Sequence, residues 1–195
     1  MDTKLAREAR KLSFSQKQLM LTVGSILGDG YLDKTTRGYS LRLNHGISQK
    51  RYVDYKYQLI KSFVNSPPKR SGKAYYFRTV SHPILTVLRN IFYVKQTKIA
   101  PIKFLEDNFD YFALAIWIMD DGAADKNQLR INTQSFTYQE NLWLSSFLQA
   151  KFGISTTINV DKSKYRLRVK DSSMNLLKKM ILPYIIPSML YKLSP

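Results

Sequence analysis

The chain has 195 residues, 44% of them hydrophobic, and its 31 Lys plus Arg against 14 Asp plus Glu give a formal charge of +17. That much apolar material supports a packed core, and 13% aromatics exclude a disordered basic tail. The absence of Cys excludes a disulfide framework, and two histidines alone, His45 and His82, argue against zinc. No apolar run approaches the roughly 18 residues of a membrane helix. The opening MDTKLAREARKLSFSQ lacks an apolar core, so neither a secretory signal nor a membrane partner is expected.

From the N-terminus, Ser15 and Gln18 form a capping box for an apolar helix ending near Gly28. RGYSLRLNHG reads as a strand, and YVDYKYQLIKSFV as a helix stopped by Ser66-Pro67-Pro68. KAYYFRTV is a strand, and Pro83 opens a helix to about Tyr93. Asn108 is the expected cap of the apolar helix FDYFALAIWIMD, and QLRINTQS follows as a strand. Thr137 and Glu140 make a second capping box for a helix ending at Gly153. STTINV and KYRLRVKD form a hairpin, and Ser172 opens a last helix that Pro183 interrupts.

These elements repeat. TVGSILGDG (22–30) resembles LAIWIMDDG (114–122), LRLN (41–44) resembles LRIN (129–132), FR (77–78) resembles LR (167–168), and KIAP (98–101) resembles KLSP (192–195). Four matches in the same order at nearly constant offset imply two modules, 1–104 and 105–195, each helix, two strands, helix, two strands, helix. Charge is uneven between them: residues 1–100 hold 19 basic against 5 acidic residues. Basic residues spread over strands rather than on one amphipathic helix favour nucleic acid over a membrane surface.

Strand alternation gives the sheets a basic face. Leu129, Ile131 and Thr133 oppose Gln128, Arg130, Asn132 and Gln134; Tyr165, Leu167 and Val169 oppose Lys164, Arg166, Arg168 and Lys170. The first module repeats this with Arg42, Asn44 and Arg78. Four positive charges on 164–170 with no acid between them call for an external anion. Arg, Asn and Gln also suit the base edges of a wide groove. Lys69, Arg70 and Lys73 extend the basic set.

Each apolar helix ends in acid, Asp29 in one and Asp120-Asp121 in the other, against the helix dipole. If the modules pair about a pseudo-two-fold axis, the small residues Gly24, Ser25, Ala113 and Ala115 allow the helices to approach, and Asp29 and Asp121 meet. Paired carboxylates without Cys or clustered His point to a hard divalent cation.

These residues resemble the LAGLIDADG homing endonucleases of the single-chain, two-motif kind, such as a yeast mitochondrial intron endonuclease. The nine-residue motif lies on 22–30 and 114–122. Further similar segments are WIMDDG, NTQSFT, the Pro-Pro-Lys turn at 67–69, and Ile-Pro-x-Met-x-Tyr-Lys-Leu at 186–193. The resemblance implies an α+β fold of two pseudo-symmetric αββαββα modules, with saddle-shaped antiparallel DNA-binding sheets and two central packed motif helices. It implies a monomer that cuts both strands of a long, asymmetric double-stranded DNA site and leaves short 3′ overhangs. Asp29 and Asp121 fall on the metal-binding position, with the Gly28 and Asp120 carbonyls helping. Lys98 and Lys192 match the basic residue near each scissile phosphate, and Gln134, aligned with Gly46, is a candidate for ordering catalytic water. Mg²⁺ is the implied cofactor, with Mn²⁺ substituting and Ca²⁺ binding without cleavage. An organellar origin, mitochondrion or chloroplast, follows by the same analogy. Thr22, Val23 and Ser25 depart from the usual motif in positions that affect packing. The alternatives are an intron RNA-binding maturase and a catalytically dead DNA binder. Retention of Asp29, Asp121, Lys98 and Lys192 favours cleavage.

Overall fold

A computed structural model of the chain describes residues 3–193, so Ser194 and Pro195 of the second Lys-x-x-Pro lie outside the described residues. The chain divides into two compact units, Met1–Ile91 and Phe92–Pro195.

The first unit runs α1 (Lys4–Ala9), α2 (Gln16–Leu27), β1 (Tyr31–Thr35), β2 (Gly38–Gly46), α3 (Lys50–Ile60), β3 (Lys69–Ser71), β4 (Ala74–Arg78) and α4 (Pro83–Phe92, ending one residue into the second unit). The second runs β5 (Tyr93–Val94), β6 (Thr97–Lys98), α5 (Ile102–Asn108), α6 (Tyr111–Asp121), β7 (Gly122–Asp125), β8 (Gln128–Ile131), α7 (Tyr138–Phe152), β9 (Thr156–Asp161), β10 (Lys164–Val169) and α8 (Asp171–Ile181). Each unit carries a four-stranded antiparallel sheet of the same topology, β1-β2-β4-β3 and β7-β8-β10-β9.

Both expected capping boxes are present. Ser15 Oγ accepts from Gln18 N–H while Gln18 reaches back to Ser15, and Thr137 and Glu140 do the same for α7. Gly153 closes α7 in the left-handed conformation at φ 69°, which glycine adopts without Cβ strain. The motif helices are apolar on every side, and α2 is buried from Met20 to Leu27 and α6 from Phe112 to Asp120, as a helix without a polar face must be. In each sheet one face packs inward: Leu41, Leu43 and Phe77 in the first unit, Leu129, Ile131, Leu167 and Val169 in the second.

Local starts differ from the sequence expectation in three places. Asp110, not Asn108, caps α6 by accepting from Ala113 N–H at 2.8 Å, because Asn108 is already the last residue of α5. The last helix begins at Asp171, not Ser172. The strand from 128 stops at Ile131, because Thr133 turns inward to bond Asn141 and the Leu167 amide. The opening segment holds a capped helix, with Thr3 Oγ1 accepting from Ala6 N–H. Residues 92–104 belong to the first repeat by sequence and to the second unit by packing: Phe92 meets Phe104 edge-on at 5.6 Å, and Ala100 N–H donates to Glu140 at 2.9 Å. Among the described residues no helix is long and apolar enough to cross a membrane.

Candidate nucleic-acid interface and motif acids

The two motifs end differently. In the first, α2 stops at Leu27 and Asp29 lies two residues beyond, in a turn closed by Gly30 N–H donating to Ser25 O at 2.7 Å. In the second, α6 runs through both acids and Gly122 N–H donates to Ile118 O. A Cβ on Gly30 would lie 2.7 Å from Ser25 O, and one on Gly122 only 2.4 Å from Ile118 O. The glycine that follows each motif acid is therefore fixed by the space available where helix turns into strand.

Asp29 has its side chain 48% exposed and one carboxylate oxygen 3.4 Å from Nδ1 of the buried His45. It borders an open cleft with His45, Gln49 and Lys73. Asp121 is half-buried, whereas Asp120, read from the sequence for its carbonyl alone, has a buried side chain. That carbonyl accepts from Lys192 Nζ at 3.0 Å, so the Lys expected near the second motif does reach its end. Lys98 lies on β6, opposite Tyr93. The donors of each motif are carboxylate and carbonyl oxygens, a set that fits a hard cation such as Mg²⁺.

The outer faces of the sheets carry the basic residues in matching places. Arg42 stands opposite Arg78, and Arg168 opposite Arg130. Asn44, Tyr76 and Lys69 form the next row of the first sheet. Arg70 does not join them. Its strand partner is Tyr75, which puts it on the other face, and its Nε donates to Gly72 O. Lys73 sits at the hairpin turn, its carbonyl accepting from Ile47 N–H. Lys164 is exposed opposite Asp161, and Lys170 caps α8.

The expectation that the 164–170 face lacks acid fails, because neighbouring strands supply it. Asp125 on β7 lies 2.7 Å from Arg168 and 3.6 Å from Arg130, and Asp161 on β9 pairs with Arg166. Gln134 Nε2 donates to Asp161 Oδ2 at 3.1 Å, and this bond, with Arg166 beside it, holds the Asp161 carboxyl below the usual aspartate range. In the first sheet aromatics take the acids' place. The Arg42 guanidinium lies 4.8 Å from the Tyr76 ring centre and 5.7 Å from that of Tyr31. Sequence reasoning gave the tyrosines no role, although Tyr76 alternates in phase with Arg78. Among the described residues, the buried Nε–H groups of Arg42, Arg130, Arg166 and Arg168 have no hydrogen-bond acceptor. Arg130, Arg166 and Arg168 are nonetheless ion-paired through their guanidinium groups, with Asp125 and Asp161.

Residues 19–177 match the model of the LAGLIDADG DNA endonuclease family. The chain belongs to this family. It is similar to the cytochrome b mRNA maturase bI2 of Saccharomyces cerevisiae, at 31% identity over 90% of this chain and 47% of that protein. The chain thus spans about half the length of that relative. Its fold matches the homing endonuclease I-WcaI, solved bound to its DNA recognition sequence, with a TM-score of 0.90 and 27% identity over 98% of this chain and 93% of the other. The endonuclease I-DmoI, solved in complex with DNA and Mn, shares the fold at a TM-score of 0.59 and 18% identity over 88% of this chain and 99% of the other.

Proposed function

We propose that this LAGLIDADG protein is a monomeric, site-specific homing endonuclease of organellar intron origin. It cleaves both strands of a long, asymmetric double-stranded DNA site and leaves short 3′ overhangs. One observation carries the reading: two sheets of equal topology each set a pair of arginines opposite one another on the outer face, Arg42 with Arg78 and Arg168 with Arg130. Arg130, Arg166, Arg168, Arg42 and Arg78, with Asn44, Asn132, Lys69 and Lys164, approach phosphates and base edges, Lys170 and Lys73 lie at the margins, and Arg70 takes no part.

Asp29 and Asp121, with the Gly28 and Asp120 carbonyls, would hold the divalent ions. Mg²⁺ is the expected cofactor, Mn²⁺ its substitute, and Ca²⁺ a cation that supports binding without cleavage. Bound ions would supply an activated water and charge neutralisation on the phosphate. The chain's own residues do the rest. Lys192, at the end of the second motif, stabilises negative charge developing on one scissile phosphate, and Lys98 does so for the other. Gln134 orients water only if DNA draws its amide from Asp161.

The deciding experiment incubates the protein and Mg²⁺ with a randomised or host-genomic DNA library and sequences the ends, with Asp29→Asn and Asp121→Asn alongside. One recurrent long site with 3′ overhangs, lost in both variants, is expected. Tight, salt-sensitive binding without any cut would move the reading to a maturase, which the similarity to a cytochrome b mRNA maturase favours as the second possibility. Intron-RNA binding and splicing assays test that directly.

A further inference from the structure

Helix α1 brings basic side chains to the edge of the first sheet. Ala6 and Ala9 bury one side of it. The segment that follows is pinned by His82, whose Nδ1 accepts from Ile84 N–H at 3.2 Å and whose Nε2–H donates to Leu12 O at 2.9 Å. Phe14 sets its ring 4.2 Å from that of Phe63. Arg10, the C-cap of α1, is therefore carried on a fixed part of the unit and is half-buried there.

Arg10 lines a groove with Arg37, Arg78, Ser40 and Ser81. Arg37 stands in the turn between β1 and β2, and Thr35 holds that turn. Its hydroxyl donates to Gly38 O at 3.0 Å, accepts from Arg37 N–H at 3.2 Å and shares a bond of 2.8 Å with Ser81 Oγ. A neighbouring hollow, lined by Arg42, Lys69 and Tyr76, shares Asn65, Arg78 and Thr79 with this groove. The groove is thus continuous with the basic outer face of the sheet.

Its charge is strongly positive. Among the described acids of the unit, Glu8 pairs with Lys11 at 2.9 Å, Asp54 pairs with Lys50 at 2.6 Å, and Asp29 ends the motif. Asp33, opposite Ser40 in the strand register, remains to offset three guanidinium groups. Strand β1 leaves the motif at Tyr31, so the turn beyond Thr35 lies about 14 Å farther out at about 3.4 Å per residue. Along duplex DNA that is about four base pairs.

We propose that the groove between α1 and the β1–β2 turn is a phosphodiester site, where Arg10 and Arg37 together hold one backbone phosphate of duplex DNA in the outer part of the first unit's half-site. The site is one-sided. The helix ahead of the second motif helix, α5, carries Glu106 and Asp107, and its Lys103 pairs with Asp107 at 3.4 Å. The opening segment is then a clamp on one end of the target, adding affinity without reading bases. The inference rests on the DNA-binding part of the proposed function and not on cleavage.

The test measures binding of the whole protein to the selected target and to random duplex, in Ca²⁺, at several salt concentrations. The double variant Arg10→Gln/Arg37→Gln should lower the slope of log affinity against log salt by about 0.9, with each single change giving part of this. Its deficit against wild type should therefore shrink about 3.5-fold over a fourfold rise in salt. Both DNAs should weaken by the same factor, because a phosphate contact carries no base information. Arg10→Lys should keep the slope, and so should Lys103→Gln, which removes a charge from α5. Neutral methylphosphonate linkages scanned along the target should reveal one position in the first unit's half-site that weakens wild type and leaves the double variant unchanged. An unchanged slope in the double variant would overturn the site, as would an equal drop in Lys103→Gln. A fall in the target-over-random ratio would also overturn it, by showing that these arginines read bases. Lowered slopes on intron RNA with duplex DNA unaffected would move the groove to RNA and refute the DNA assignment. Arg37→Gln alone, on an exposed turn, carries the test if Arg10→Gln folds poorly. Lowered slopes on random duplex in a protein that never cuts would fault the cleavage reading and leave the phosphate site standing.

Discussion

Replacing Asp125 with Asn separates affinity from selectivity. Asp125 Oδ2 lies 2.7 Å from Arg168 and 3.6 Å from Arg130, and Gln128 Oε1 accepts a further bond from Arg168 at 3.3 Å. Two unit charges 4 Å apart attract by about 1–4 kcal/mol between fully aqueous and protein-surface screening. All three side chains are about a third exposed, so the net loss of fold stability should be at most about 1 kcal/mol. The effect on DNA runs the other way. A carboxylate that repels phosphate disappears, and a guanidinium is released to meet one. Each extra phosphate contact steepens the fall of log affinity with log salt by about 0.9, or about 3.5-fold over a fourfold change in salt. The freed arginines are also no longer aimed, and a well-placed bidentate arginine contributes about 1–3 kcal/mol of base discrimination. Titrations at several salt concentrations, on the selected target and on random duplex, should therefore show tighter random binding and a steeper salt slope. The target-over-random ratio should fall at least about fivefold. An unchanged slope together with an unchanged ratio would refute the idea that Asp125 aims these arginines.

Four further outcomes follow from the same geometry. Glu140 is buried and accepts from the Ala100 amide and from the Thr137 amide and hydroxyl, at 2.9, 2.8 and 2.8 Å; Glu140→Ala should cost about 3–5 kcal/mol, read as a lower midpoint in urea. Gly122→Ala drives a Cβ into Ile118 O and should lose about 1–3 kcal/mol, while Gly46→Ala, with nothing nearer than 3.7 Å, should be nearly silent in the same melts. Lys162 sits at φ 57° in the β9–β10 turn, so Lys162→Gly should stabilise the fold by about 1 kcal/mol in thermal melts and weaken DNA binding. Asp161 is held below its ordinary value of 3.8 chiefly by Gln134 and then by Arg166. Its contribution to stability is therefore present above 3.8 and lost as pH falls through the lower folded value. In Gln134→Ala the carboxyl titration followed by NMR should move up toward 3.8, and a midpoint that stays put would contradict this.

Local chemistry was legible in the sequence. The capping boxes at Ser15 and Thr137 involve residues three apart, and the strand faces follow from alternation alone, so Arg42, Arg78, Arg130 and Arg168 were found without a structure. Register between strands was not legible. The partner of Arg70, and the approach of Asp125 to Arg168, depend on which residues stand opposite each other across a sheet, and no periodicity encodes that. The groove that joins Arg10 to Arg37 spans a helix and a hairpin, so it needs the packing as well. The cap of α6 was misread because Asn108 and Asp110 are both good caps, and the short helix α5 takes up the first. The 93–98 ribbon and α5 are too short to leave a periodic signature.

The stretch 92–104 has a consequence for recombination between relatives. The sequence repeat assigns it to the first module, while its Phe92 and Ala100 are anchored to Phe104 and Glu140. A chimera joined at the repeat seam would set these anchors, the Phe92–Phe104 ring contact and the Ala100 amide on Glu140, against a foreign partner. A crossover at 91/92, where the compact units part, keeps each set of contacts with its own parent. Half-site exchange, a direct route to new target sequences, should therefore be cut by packing rather than by homology.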